Sequence, residues 1–306
     1  MTADAQLWTW CVEHLGSPPE EEFFSADSMS SVRGVVLADG RRVALKTRDA
    51  SDRVLACADA QRHARAAGID CPELLAGPSR LEGRWLSAEE WRPDGSPVPP
   101  ADAAARYTRL LHTLVQALAG FEPGRFDPPP PWAHYDHGTE GRVWPPAASL
   151  RWDPESERVP VELRRLAAAA RERLVAENLP SVVGHTDLNG LNVRWAPEPI
   201  VHDWDSLAGR PEAVLAGILA VNHVEVPGAG AITPVAETDR ALALYQELRP
   251  FTSTEREIAW AAGVWVAAYN AAFEHLHGAP GAVSRQLRDD GEERLRLAGL
   301  LPRREH

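Results

Sequence analysis

Long apolar runs and paired cysteines are missing from the 306-residue sequence. No apolar run approaches the ~18–20 residues of a membrane span, and the N-terminus lacks the basic and apolar segments of a signal peptide. We therefore expect a cytoplasmic protein with no membrane partner. Cys11, Cys57 and Cys71 form neither a CxxC pair nor a Cys/His spacing. This argues against a disulfide framework or a zinc site and predicts buried or half-buried thiols.

Positive charge is also in short supply. The sequence has 32 Lys and Arg against 44 Asp and Glu, which gives a net charge of −12. A chain this acidic is not attracted to nucleic acid or to an anionic membrane, so we expect neither as a partner. A cationic substrate is compatible with the acidity, although solubility alone is the simpler explanation for it.

The scarcest charged residue is lysine. Of the 32 basic residues, 31 are arginine and only Lys46 is lysine. Arginine serves wherever this chain needs an ordinary surface charge, so a single lysine indicates a place that requires a compact ammonium on a flexible stem. The alternative is a chance survivor at the surface, and the neighbouring residues have to decide between the two.

Periodicity and turn signals predict a small strand-rich region followed by a larger helical one, an α+β arrangement of two lobes. Asp39-Gly40 is a hairpin signal between Val32–Leu37 and Arg41–Lys46, and a polar loop, residues 27–31, precedes this hairpin. A further strand is predicted at 81–91. Residues 182–195 and 200–207 are predicted to form a polar centre flanked by strands, with Asp203 on the second of these segments, as a strand. Helices are predicted at 7–15, 52–67, 101–121, 161–177, 211–223, 238–248, 253–277 and 283–298.

The residues with the clearest chemistry lie in and after the strand-flanked centre. His185-x-Asp187-x-x-x-x-Asn192 is followed, eleven residues after Asn192, by Asp203. Phosphoryl transfer needs a carboxylate to accept the proton of the attacking hydroxyl, and oxygen ligands to hold Mg²⁺ against the nucleotide phosphates. Asp187 is therefore the predicted catalytic base, and Asn192 and Asp203 are the predicted metal ligands.

With these residues the sequence resembles the aminoglycoside phosphotransferase family, whose members share the protein-kinase-like fold. The likeness lies in the catalytic loop, in the Asp203-Trp204 segment and in Val43-Ala44-Leu45-Lys46, and it runs in order from about Phe23 to Ser206. It implies a small β-rich N-terminal lobe, residues 1–91, and a larger, mainly helical C-terminal lobe, residues 96–306, joined by a hinge at about 88–95.

The resemblance also implies how a nucleotide is held. Lys46 would contact the α- and β-phosphates of ATP or GTP. Backbone groups of Glu89, Glu90 and Trp91, at the hinge, would hold the base.

The sequence departs from the family pattern in three places. Thr186 stands where the family usually has glycine, between the histidine and the aspartate of the loop. No glutamate occurs between Lys46 and Pro72 to pair with the lysine, and we take Asp59 as the candidate partner. No G-x-G-x-x-G occurs at the first hairpin, so Ser30 and Ser31 would have to offer backbone N–H groups to the phosphates. That absence favours a small-molecule kinase over a protein kinase.

Several neighbouring residues have expected supporting roles. His185 is expected to be structural and bonded to the backbone, in preference to acting as the general base. If Asp205 continues a strand, it lies on the same face as Asp203 and either touches a second metal ion or bonds to the catalytic loop, while His202 and Trp204 face the core. The candidates for contact with the acceptor, beyond Asp205, are Trp132, His134, Tyr135, Glu225 and Glu274.

The predicted function is phosphoryl transfer from ATP or GTP, with Mg²⁺, to a hydroxyl group of a small molecule. The expected acceptor is an antibiotic of aminoglycoside, nucleoside or peptide type. One alternative is a metabolic kinase of the amino sugar, choline or homoserine type, and another is a pseudokinase-like protein that binds nucleotide without turnover. We expect a monomer or a homodimer.

Overall fold

A computed structural model of the chain describes residues 3–27, 30–49, 51–146, 153–228, 230–278 and 281–302. They form two compact units that divide between Asp94 and Gly95. The assignment of one lobe to the nucleotide and the other to the acceptor stays a prediction.

The first unit is built on one antiparallel sheet in the order β1-β2-β3-β5-β4. Gly40, at a φ of 86°, makes the predicted tight turn between β2 and β3 and donates its N–H to the carbonyl of Leu37. The elements of this unit are α1 (Ala3–Leu15), β1 (Pro19–Asp27), β2 (Ser31–Leu37), β3 (Arg42–Arg48), α2 (Arg53–Ala66), β4 (Leu74–Leu81) and β5 (Arg84–Glu90).

An apolar core lies between α1 and the sheet because β2 and β3 place their valines and leucines on it in alternation. Its buried members from α1 are Trp10, Cys11 and Leu15. Cys57 and Cys71 are also buried free thiols, as the sequence predicted. The order of elements and the hairpin are confirmed, whereas α1 begins earlier than predicted and β4 was not predicted at all.

The second unit is mainly helical. Two short antiparallel pairs of strands, β6 with β9 and β7 with β8, carry the catalytic loop. The elements are α3 (Ala103–Ala117), α4 (Val161–Val175), β6 (Ser181–His185), β7 (Val193–Trp195), β8 (Pro199–Val201), β9 (Leu207–Pro211), α5 (Glu212–Asn222), α6 (Val235–Leu248), α7 (Ser253–His277) and α8 (Ala282–Leu297).

Helices α5 and α7 form the centre of the second unit and are apolar around most of their circumference. Gly217 of α5 lies against the backbone carbonyl of Ala259 in α7, and a Cβ atom at this position would collide with it. The glycine therefore allows the two backbones to pack closely. This close contact holds α5, the helix that begins directly after β9, in place. In the described part of the chain, no helix is long and apolar enough to span a membrane.

Candidate active site

Strand β6 ends at His185, and the loop 186–192 that follows carries Asp187. His185 is buried, its Nδ1 accepts the N–H of Asp187 at 3.1 Å, and its Nε2 lies 3.1 Å from the carbonyl oxygen of His202. These two bonds fix the neutral tautomer with the proton on Nε2. The imidazole therefore holds the loop to the segment before Asp203, and this bonding supports the structural role that we expected for it.

Both carboxylate oxygens of Asp187 are held by amide groups of its own loop. Asn192 donates its Nδ2 to Oδ2 at 2.6 Å, and Asn189 donates its Nδ2 to Oδ1 at 2.8 Å. Because the amide nitrogen of Asn192 faces Asp187, the Oδ1 of Asn192 is the atom left for a metal ion. These hydrogen bonds hold the carboxylate of Asp187, the predicted base, in place. They also leave the oxygen of Asn192, the predicted metal ligand, free to face a metal ion.

A second carboxylate, Glu225, lies close to Asp187. It follows α5, and its Oε2 accepts the same Asn189 amide at 3.2 Å. Burial raises the pKa of Asp187 to about 8, with the charges of Glu225 and Asp203 acting in the same direction and the two asparagine bonds opposing them. Burial, together with Glu274, raises the pKa of Glu225 to about 7. Carboxylates gathered in this way favour a bound cation.

Asn189, which is fully buried, was not among the residues predicted from the sequence. Its Nδ2 donates to Asp187 and Glu225, and its Oδ1 accepts the N–H of Leu191 at 2.9 Å. Asn189 therefore joins the predicted base to a predicted acceptor residue. Only its place inside the H-x-D-x-x-x-x-N pattern could have indicated a role, because loop asparagines usually serve turns.

Asp203 has a left-handed backbone, with φ of 53° and ψ of 58°. This conformation is uncommon for a residue with a side chain and persists only where the surroundings enforce it. Ser206 donates its Oγ to Asp203 Oδ2 at 3.1 Å and its N–H to the Asp203 carbonyl at 2.9 Å. The predicted strand 200–207 is wrong here, because β8 ends at Val201 and a 3-10 turn, Trp204–Ser206, follows.

The strand argument for Asp205 fails for the same reason. Asp205 lies in the 3-10 turn and is half-buried, so it does not share a strand face with Asp203. Trp204 is buried as predicted, and its indole N–H donates to the carbonyl of Val201 at 3.1 Å.

Thr186, the residue before Asp187, makes three hydrogen bonds. Its N–H and its hydroxyl both donate to the carbonyl oxygen of Ser206, at 2.9 and 2.7 Å. Its hydroxyl also accepts the indole N–H of Trp132 at 3.0 Å. The threonine has no left-handed φ angle, so it replaces the usual glycine without backbone strain.

The segment 132–137 supplied three acceptor candidates, and the structure separates them. Trp132 and His134 are half-buried, whereas Tyr135 is buried with the Arg210 guanidinium 4.9 Å from its ring centroid. Tyr135 is thus a core residue, which corrects its assignment to the acceptor. Desolvation by burial lowers the pKa of His134, so this imidazole is neutral at pH 7.

Glu274 has a structural function that the sequence did not predict. Its carboxylate accepts the N–H groups of Gly281, Val283 and Ser284 and the hydroxyl of Ser284 at 2.8–3.2 Å. It therefore caps the N-terminus of α8, where the helix presents free N–H groups. A direct contact with the acceptor is corrected to this capping role, although its charge still acts on Glu225.

In the first unit, the sole lysine pairs with a glutamate on a neighbouring strand. Lys46 Nζ lies 2.9 Å from Glu89 Oε2, and both side chains are at least nine-tenths buried. Asp59, the expected partner, is half-exposed on α2 and lies 3.5 Å from Arg62. Lys46 is buried, so the alternative of a chance lysine at the surface is wrong. The observed ion-pair partner of Lys46 is Glu89, which corrects the expected pairing with Asp59.

The remaining nucleotide candidates lie at the two ends of the same sheet. Ser31 opens β2 and donates its hydroxyl to Asp27 at 2.6 Å, while Ser30 precedes it in the β1–β2 turn. The N–H groups of Glu90 and Trp91 donate to carbonyls of Glu73 and Arg42 within the unit. A base would therefore have to bond to other backbone groups of the hinge, which corrects the expectation for these two amides.

The donor set suits a hard, oxygen-loving cation. Among the described residues, no three His, Cys, Asp or Glu side chains cluster as a metal site, which argues against a closed protein cage. Asn192 and Asp203 offer oxygen atoms only, and Mg²⁺ typically takes one or two such ligands and keeps its waters.

Comparisons with known proteins place this geometry in a family. No curated protein has a significantly similar sequence. A putative fructosamine-3-kinase from Thermobifida fusca YX-ER1 has a similar structure, with 20% identity, a TM-score of 0.55 and coverage of 96% of this chain and 100% of that one. Amicoumacin kinase hAmiN follows at 15% identity and a TM-score of 0.59, covering 97% and 95%.

A thermostable variant of aminoglycoside phosphotransferase APH(4)-Ia is similar at 14% identity and a TM-score of 0.57, covering 95% of this chain and 98% of that one. At these identities the likeness establishes the fold, and it confirms the protein-kinase-like α+β fold expected from the sequence. The family profile extends the match to sequence, because residues 24–209 fit the phosphotransferase enzyme family, APH. The chain therefore belongs to the phosphotransferase enzyme family.

Proposed function

We propose that the chain transfers the γ-phosphoryl group of ATP or GTP to a hydroxyl group of a small molecule that also carries an amino group. The observation that carries this proposal is the fixed carboxylate of Asp187, held by Asn189 and Asn192 beside the second carboxylate Glu225. Two of the similar structures were solved as complexes with a nucleotide and a small molecule, one with AMP-PNP and Ami and the other with ADP and hygromycin B.

In the proposed reaction, the acceptor hydroxyl donates a hydrogen bond to Asp187. Its oxygen forms a bond to the γ-phosphorus as the bond to the β,γ-bridging oxygen breaks, and its proton passes to the Asp187 carboxylate. The two asparagine amides orient that carboxylate, which is where positioning contributes to rate. Asn192 and Asp203 would hold Mg²⁺, which, when bound, supplies charge that neutralises the phosphates and favours ionised Asp187.

The amino group that we propose for the acceptor follows from the two carboxylates of the site. Glu225 and Asp187 are two carboxylates linked by one amide, and burial has raised the pKa of each. An ammonium group near the reacting hydroxyl would offset both desolvation penalties. Aminoglycosides fit this description, and so do the amino sugars and fructosamines of a metabolic kinase.

A pseudokinase-like protein is the alternative that the absence of a glutamate between Lys46 and Pro72 would favour, but the pairing of Glu89 with Lys46 supplies a carboxylate partner for the lysine. It still has a distinct experimental outcome. Tight binding of MgATP with no product from any acceptor would favour it.

A phosphorylation assay tests the proposal. Purified protein is incubated with ATP or GTP, Mg²⁺ and a panel of aminoglycosides, peptide and nucleoside antibiotics and amino sugars, and product mass is measured. Asp187→Asn should lower kcat by several orders of magnitude while nucleotide affinity stays nearly unchanged. Undiminished turnover in this variant would refute the assignment of the base.

The metal assignment has its own control. Asp203→Ala should abolish Mg²⁺-dependent binding of nucleotide, measured by calorimetry, while Asp205→Ala, two residues away, retains it. Equal losses in the two variants would contradict a specific metal role for Asp203.

A further inference from the structure

Thr186 joins three parts of the second unit through one hydroxyl group. The hydroxyl donates to the carbonyl of Ser206, in the segment that holds Asp203, and accepts the indole N–H of Trp132. The side chain is buried, with 1% of its surface exposed, so water does not compete for these bonds. Asp187 is the next residue along the chain.

We propose that Thr186 is a positioning residue that fixes the indole of Trp132 relative to Asp187 and so shapes the acceptor side of the site, an inference that rests on the proposed function. The family usually has glycine at this position, which provides no hydroxyl. The anchored indole is therefore a trait of this chain and not of the loop pattern.

The contacts of Thr186 with Ser206 and with Trp132 do not depend on the hydroxyl group to the same degree. The bond to Ser206 is doubled, because the backbone N–H of Thr186 donates to the same carbonyl at 2.9 Å. Any residue except proline preserves that backbone bond. The contact with the Trp132 indole depends on the hydroxyl alone, so removal of the hydroxyl acts on Trp132 and spares the Asp203 segment.

The backbone around Trp132 is fixed without Thr186. The carbonyl of Trp132 accepts the indole N–H of Trp265 at 2.7 Å, and Arg210 donates to the carbonyl of Ala133 at 2.7 Å. What Thr186 adds is a single orientation of the Trp132 ring, by satisfying its N–H. A half-buried indole held in this way offers a rigid apolar face to a sugar ring or a planar group of the acceptor.

A spectroscopic measurement tests the contact without reference to activity. The sequence has eleven tryptophans, and the indole N–H signal of Trp132 in a ¹H–¹⁵N spectrum is assigned by its loss in Trp132→Phe. Thr186→Val, which has the same shape but no hydroxyl, should move that signal upfield, and Thr186→Gly should do the same. Thr186→Ser should leave it in place.

Kinetics test the consequence. With the most rapidly phosphorylated compound of the acceptor panel, Thr186→Val should raise the acceptor KM roughly tenfold, the effect of one lost hydrogen bond. The KM for MgATP, measured in hydrolysis with water as acceptor, should change less than about twofold. Thr186→Ser should restore the acceptor KM.

The outcomes separate cleanly. An unmoved Trp132 signal in Thr186→Val, a Thr186→Ser variant that behaves like valine, or equal increases in both KM values would overturn the proposal. If no compound of the panel is phosphorylated, the Trp132 indole signal alone tests the contact between Thr186 and Trp132. A failure of the proposed function appears instead as full turnover in Asp187→Asn, which leaves the Trp132 signal unaffected.

Discussion

Lys46 and Glu89 lie on neighbouring strands, so their ion pair is set by the register of the sheet. Ala44 faces Glu89 and Lys46 faces Ser87 across β3 and β5, which makes the pair a diagonal one within reach of both side chains. In kinases of the usual pattern the partner comes from a helix that can shift. Here the lysine is held by the sheet itself.

The first prediction concerns this pair. Glu89→Gln removes the carboxylate charge that lies 2.9 Å from the buried ammonium of Lys46 and 3.8 Å from the guanidinium of Arg48, and we expect the free energy of unfolding to fall by about 3 kcal/mol and the KM for MgATP to rise. Denaturant titration and steady-state kinetics measure the two effects. Asp59→Asn is the matched control, and its half-exposed carboxylate should contribute less than about 1 kcal/mol. A larger effect from Asp59 would restore the helix pairing.

The second prediction concerns Glu225 and pH. Its pKa is about 7 in the folded chain against an ordinary 4.5, so the folded state favours the protonated carboxyl. That stabilisation is complete below pH 4.5 and is lost as the pH rises through 7. Glu225→Gln, which stays neutral, should therefore match the wild type at pH 4.5 and be more stable at pH 8, by about 3 kcal/mol at most.

Thermal unfolding at the two pH values measures this difference. Glu237→Gln removes a carboxylate from the exposed face of α6 and serves as the control for the substitution itself. The same stability difference at both pH values would mean that the charge of Glu225 is not the cause.

At the scale of elements, a helix or a strand could be predicted where neighbouring residues in the sequence determine it. The hairpin at Asp39-Gly40 and the helix 53–66 are encoded by adjacent residues, and both were predicted. Strand β4 contains Gly77-Pro78, which is typical of a chain break, and its place at the sheet edge is decided by pairing with β5. No local pattern carries that information.

The residues of the candidate site also differ in how far local sequence could predict them. The spacing from Asp187 to Asn192 and Asp203 was visible in the sequence because the loop is contiguous. Contacts that join distant segments, such as Trp132 with Thr186 or Lys46 with Glu89, depend on tertiary packing and could not be predicted. Glu274 was misassigned for this reason, since an acidic residue looks the same whether it caps a helix or faces a ligand.

The third prediction tests how tightly the catalytic loop is packed. A Cβ atom at Gly190 would lie 2.5 Å from the carbonyl oxygen of Pro97 and 2.8 Å from that of Glu225, and the Gly190 N–H donates to the same Glu225 oxygen at 2.7 Å. Gly190→Ala should therefore displace the loop, lower kcat/KM by tenfold or more and cost about 1–3 kcal/mol of stability.

Gly120→Ala is the matched control, because Gly120 has open space around its Cα and an ordinary φ angle. Kinetics and denaturant titration should find it close to the wild type. Full activity in Gly190→Ala would mean that the loop tolerates displacement, contrary to the fixed geometry around Asp187.

At the scale of the whole molecule, the family profile covers only some of the residues that are proposed to face the acceptor. The profile covers residues 24–209, which include Lys46, Asp187 and Asp203. Helices α5 to α8 follow it, and Glu225 lies among them. The profile therefore includes the residues predicted to act on the phosphates, together with Trp132 and Thr186, and leaves out Glu225. Membership of the family does not by itself select the acceptor, because one fold serves many substrates.

Finally, a chain with a single lysine has a single cleavage site for a lysine-specific protease. The bond after Lys46 lies in β3, the middle strand of the five-stranded sheet, where the side chain is buried. The folded chain should resist cutting, and slow cutting should give two fragments, residues 1–46 and 47–306. Because cleavage requires β3 to leave the sheet, its rate reports the opening of the first unit alone. Lys46→Arg should remain uncut even when unfolded, and rapid cleavage of the native chain would show that the sheet opens readily.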